Sequence, residues 1–128
     1  MNNETRSRAG FETVGDFTPD ALIAGDFPLR TRKVLLAAGR AYDRGEVLGL
    51  KADGEYALSA AEASDGSEAP SVVLAESVDA TPGIREAVVY LTGDFNAARL
   101  IYGAGHTAKT VAKPLRDLSI FLHTPVQA

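Results

Sequence analysis

From Thr31 onward, short apolar runs are cut by turn-forming residues about every ten positions. A chain interrupted that often has no room for long helices, and its runs are the length of strands. Residues 31–37 read as a first strand, closed by Ala38-Gly39. Residues 46–51 and 55–60 flank Ala52-Asp53-Gly54, and an Asp-Gly between two apolar runs predicts a hairpin. Residues 62–69 are small and polar, a surface loop bending at Asp65-Gly66. Residues 71–76 read as a buried strand that ends before the turn Ala80-Thr81-Pro82-Gly83. Residues 85–92 carry the strongest strand signal of the chain. Gly93-Asp94 is expected to turn it, with residues 95–102 forming a further strand or a mixed segment. The pattern suggests a small barrel rather than repeated strand–helix–strand units.

The helix signal lies near the C-terminus. Thr107 is placed to cap it, and Val111, Leu115 and Leu118 make one apolar stripe. Pro114 predicts a kink, or a shorter helix starting near it. Residues 119–123 read as a final strand. The fold class is mainly β with a short C-terminal helix (α+β), a small barrel preceded by an extended arm. At 128 residues and 13.5 kDa the chain is one domain in size.

Residues 1–30 differ from the rest. Phe11, Val14, Phe17, Leu22, Ile23, Phe27 and Leu29 follow neither the helical nor the strand period. Pro19 and Pro28 favour extended or turn geometry around them. The segment reads as an extended arm, residues 1–30, joined to a β-rich domain, residues 31–128. The plainer alternative is an N-terminal strand packed on its own domain. Phe11, Phe17, Leu22, Ile23 and Phe27 are the candidate arm contacts, with Arg30 and Arg32 as secondary ones. A chain lacking residues 1–27 is accordingly expected to fold and to lose its partner. An extended segment of this kind suits docking by strand addition to an exposed sheet edge.

Charge and composition exclude several classes. The net charge of −4 and a pI near 5.1 argue against a general nucleic-acid binder, which needs a cationic face. The absence of cysteine removes disulfide scaffolds, thiolate metal sites and cysteine nucleophiles. No apolar run is long enough to span a bilayer, so no membrane partner is expected. The first residues lack the basic and apolar regions of a secretory signal, and the protein is expected to stay in the cell that makes it.

Candidate chemistry is thin. The stretch 103–110, Gly-Ala-Gly-His-Thr-Ala-Lys-Thr, falls short of a phosphate-binding loop because Ala108 stands where glycine is required. It reads better as a glycine-rich turn into a helix. His106 and His123 are far apart and neither has a second ligand at helical spacing. Asp94, between Gly93 and Asn96, reads as a turn residue that caps its own backbone. The serines at 59, 64, 67 and 71 lack a nucleophile elbow. Arg30, Arg32 and Lys33 form a small basic knot, either a solvated strand end or an anchor on an acidic surface. Neither a catalytic site nor a cofactor is expected from these residues.

Several runs resemble one family. They are residues 18–29 (Thr-Pro-Asp-Ala-Leu-Ile-Ala-Gly-Asp-Phe-Pro-Leu), 44–49 (Arg-Gly-Glu-Val-Leu-Gly), 63–67, 74–80, 91–96 (Leu-Thr-Gly-Asp-Phe-Asn) and 114–122. In their order and spacing, over about residues 15 to 123, they resemble the head decoration proteins of tailed bacteriophages. The resemblance implies a β-clip or tulip-like domain and no enzyme activity. It implies homotrimers at three-fold and quasi-three-fold positions on the outer surface of the virion, clamping the major capsid protein against the pressure of packaged DNA. It also implies an N-terminal arm that is mobile when free and ordered on the shell. Two other readings stand beside it: a trimeric small-β-fold enzyme acting on nucleotides, and a small-ligand-binding barrel.

Overall fold

The computed structural model describes residues 21–124. Eight strands and one helix follow in chain order: β1 (Arg30–Leu36), β2 (Ala41–Tyr42), β3 (Val47–Leu50), β4 (Tyr56–Leu58), β5 (Pro70–Leu74), β6 (Val78–Asp79), β7 (Arg85–Asn96), α1 (Ala108–Arg116) and β8 (Ile120–His123). Five strands close into a ring in the order β1–β4–β3–β5–β7, with β7 pairing back to β1. The seam between β1 and β4 is parallel and rests on one residue pair, Leu36 with Tyr56. The other ring pairings are antiparallel. Closure is tight along four of the five seams, while the β1–β4 seam is joined only at its end and β8 extends the sheet from β7. β2 and β6 form a separate two-stranded pair.

The hairpin expected at Ala52-Asp53-Gly54 joins β3 to β4, with Gly49 opposite Ala57. Asp53 accepts a hydrogen bond from the Glu55 amide at 3.0 Å. The turn expected at Gly93-Asp94 is absent. β7 runs straight through both residues to Asn96. A local turn signal is overruled here by a distant partner, because Gly93–Asn96 pair in parallel with Ile120–His123 of β8. Gly93 holds a φ of +149°, which side-chain-bearing residues rarely adopt, and a Cβ there would strike Leu29. The turn comes after Asn96, at residues 97–99. One strand–helix–strand unit therefore exists, from β7 through α1 to β8, although the turn spacing suggested none.

The helix begins as expected. The side chain of Thr107 accepts from the Thr110 amide, and Thr110 Oγ1 accepts from the Thr107 amide at 2.9 Å. This is a capping box with threonine in the place usual for glutamate. The helix is continuous from Ala108 to Arg116, with Pro114 inside its last turns. Val111 and Leu115 are fully buried, but Leu118 lies beyond the Asp117 cap and is exposed.

Two cores explain the burial pattern. The barrel interior holds Val34, Leu36, Tyr42, Leu48, Val72, Leu74, Ala87 and Val89. A second cluster, Leu22, Val47, Val73, Phe95, Leu100, Val111, Leu115 and Ile120, brings residues of the barrel wall together with α1 and β8. Leu48 faces the first core and Val47 the second; Val72 and Leu74 face the first, Val73 the second. β3 and β5 thus bury side chains on both faces, which is why Val47-Leu48 and Val72-Val73-Leu74 are continuous apolar runs rather than alternating ones.

Candidate docking site

The segment from Leu22 to Leu29 lies along the C-terminal half of β7. The Asn96 amide donates to the Leu22 carbonyl at 2.7 Å, and the Ala24 amide to the Asp94 carbonyl at 3.0 Å. Ile23 forms an isolated antiparallel bridge with Phe95. Further on, the Phe27 amide donates to Asp94 Oδ2 at 3.0 Å. Thr92 Oγ1 donates to the Pro28 carbonyl at 2.8 Å and accepts from the Arg30 amide at 3.2 Å. Pro28 has no N–H, so its carbonyl is the one backbone group it can offer.

Side chains divide by depth. Leu22, expected among the arm contacts, is 2% exposed and belongs to the second core with Phe95 and Ile120. It is held by the domain itself. Ile23, Phe27 and Leu29 stay 36–42% exposed. Phe27 meets the Phe121 ring edge-on, with centroids 5.1 Å apart. Leu29 occupies the space that the bare Gly93 leaves. Arg30 and Arg32 are exposed at the start of β1. Arg32 shares the face of Val34 and Leu36 but lies beyond their buried layer. Phe11 and Phe17 fall outside the described residues.

Asp94 is the polar centre of this face. Its side chain is only 14% exposed, and Oδ1 lies 3.1 Å from His123 Nε2. The hydrogen bond from the Phe27 amide, with a smaller contribution from His123, holds its carboxyl below the usual aspartate range. Gly25 passes so close that a Cβ there would overlap the carboxylate. The sequence presented Asp94 as a residue capping its own turn; its acceptor serves a segment 67 positions away.

His106, a candidate ligand in the sequence, lies within hydrogen-bond distance of the helix start and a loop, with Nδ1 3.0 Å from Thr110 Oγ1 and Nε2 3.0 Å from the Glu68 carbonyl. Among the described residues, no three histidine or acidic side chains are grouped to hold a metal ion. Glu46 was missed by sequence reasoning. It is 1% exposed, and its Oε2 accepts from Arg40 at 3.0 Å and from the Asp43 amide at 2.8 Å. Burial raises its carboxyl above the ordinary range, against the pull of the Asp43 amide and Arg40. The turn 43–45 before it was the available signal, because a short loop needs a nearby acceptor. No helix among the described residues is long and apolar enough to cross a membrane.

The fold is a small five-stranded barrel with an N-terminal segment laid along β7, and Ile23, Phe27 and Leu29 of that segment stay half-exposed. The chain matches the family model of the bacteriophage lambda head decoration protein D over residues 13–121, and it belongs to that family. No curated protein matches it. The family is one of structural phage proteins, which places the chain on the phage capsid as a decoration protein.

Proposed function

We propose that the protein is a capsid cement. Three copies sit together at the three-fold and quasi-three-fold positions of the expanded head, on its outer surface. There they hold adjoining subunits of the major capsid protein against the pressure of packaged DNA. The family match over residues 13–121 carries this reading. The exposed row Ile23, Phe27 and Leu29, just after the point where residues 1–20 join the described domain, supports it.

In this reading Phe11, Phe17, Ile23, Phe27, Arg30 and Arg32 face the capsid, while Leu22 fixes the base of the segment. Three linked arms act at high effective concentration once one has docked, so contacts that are modest singly hold together. The test is a cryo-electron-microscopy map of heads with and without the protein. Three-lobed density over the three-fold positions, lost without the protein, is the expected result. Identical maps would remove the cement role.

A further inference from the structure

We propose that Asp94 is the positioning residue of the docking face, its carboxylate clasping the turn at residues 24–27 and so fixing the path of the segment that docks. The inference rests on the docking reading for its purpose and on geometry for its content. Three stretches of chain meet at this carboxylate. β7 supplies it, the Phe27 amide donates to Oδ2, and His123 of β8 approaches Oδ1. The backbone of the same residue accepts from Ala24, so the turn is held at both ends by one amino acid. Gly25, between those two bonds, is bare where the carboxylate lies. The clasp also brings Phe27 to the edge of Phe121. Core packing does not need any of this, since Leu22 is buried on its own account a few residues earlier. What the clasp adds is a defined course from Ile23 to Leu29. A segment ordered before it binds loses less freedom on binding.

The test uses the full chain and three variants, Asp94→Ala, Asp94→Asn and Gly25→Ala. Amide hydrogen exchange is read at Phe27 and, as a control for the barrel, at Val34, Val73 and Val89. Association is read with heads that lack the protein. In Asp94→Ala, exchange at Phe27 rises about tenfold or more while the barrel amides keep their protection. Its affinity for heads falls about tenfold, with no change in the number of copies bound at saturation. Asp94→Asn keeps an acceptor oxygen and restores both readings. Gly25→Ala, which opens the clasp from the other side, reproduces the loss, and combining it with Asp94→Ala adds little more.

Unchanged exchange at Phe27 in Asp94→Ala would overturn the clasp. Protection at Phe27 lost with affinity kept would overturn its positioning role. If the unaltered protein fails to bind heads at all, the cement reading fails and takes the positioning role with it. The exchange measurement still decides separately whether the clasp exists.

Discussion

Replacing Leu22 by alanine separates holding the domain together from holding the capsid. Leu22 is 2% exposed and sits in the second core with Phe95, Leu100 and Ile120. Its Cδ1 lies 3.5 Å from where a side chain on Gly45 would begin, so the wall around it is close. The substitution removes three carbons, worth roughly 2 kcal/mol in transfer from water. The cavity left in a wall of sheet and helix raises the total to about 3–4 kcal/mol. Against a typical stability of about 5–15 kcal/mol that is a large fraction. For a domain of this size it lowers Tm by roughly 12–25 °C. The matched control is Ile23→Ala. Ile23 is the next residue, yet it is 36% exposed and points away from that core, so about 1 kcal/mol is expected. Urea unfolding of the free protein, followed by circular dichroism, measures both. If the two variants differ by less than about 1 kcal/mol, the assignment of Leu22 to the core is wrong. The burial of Leu22 also bears on the truncation expected from the sequence. Deleting residues 1–27 removes Leu22 and is expected to weaken the second core, whereas deleting residues 1–20 leaves Leu22 in place.

Other expectations follow from single residues. Glu46 has a raised carboxyl pKa, so its contribution is fullest below the ordinary glutamate range and is lost as pH rises through the higher folded value. Unfolding at pH 4 and pH 7 is therefore expected to show Glu46→Gln gaining on the unaltered protein as pH rises; the opposite trend would contradict the burial argument. Thr107→Ala breaks the capping box at the start of α1 and is expected to cost about 1 kcal/mol in urea unfolding. Pro114→Ala gives the Thr110 carbonyl an N–H partner inside α1 and is expected to raise stability by about 1–2 kcal/mol, less than the full helix penalty of proline because the unfolded chain gains freedom. A Tm that falls in Pro114→Ala would mean the ring is packed too well to replace.

Local chemistry was legible in the sequence and distant partnership was not. The hairpin at Asp53-Gly54 and the cap at Thr107 depend on residues within a few positions, and both were found where the sequence placed them. Gly93-Asp94 has equally good turn chemistry, but pairing with β8 and burial of Phe95 keep the strand extended. Nothing near residue 93 announces a partner at residue 120. The same holds at Leu22, which looks like one apolar residue among several in an irregular stretch. Only the fold shows that its neighbours are Val47, Phe95 and Ile120. At Asp94 the residue type was right and the partner wrong, because a short-range cap and a long-range clasp use the same carboxylate chemistry.

The hydrogen bonds from Leu22 to Arg30 also set how the domain answers a mechanical load. They are strung along one strand, at Thr92, Asp94 and Asn96 of β7. A pull on the N-terminal side directed along that strand stretches them together, and each bears a fraction of the force. A pull at right angles reaches them one after another, starting at Asn96, and each must bear it alone. A chain tethered in this way is strong in shear and weak in peeling, so the direction in which its partner tugs matters as much as how tightly it is held.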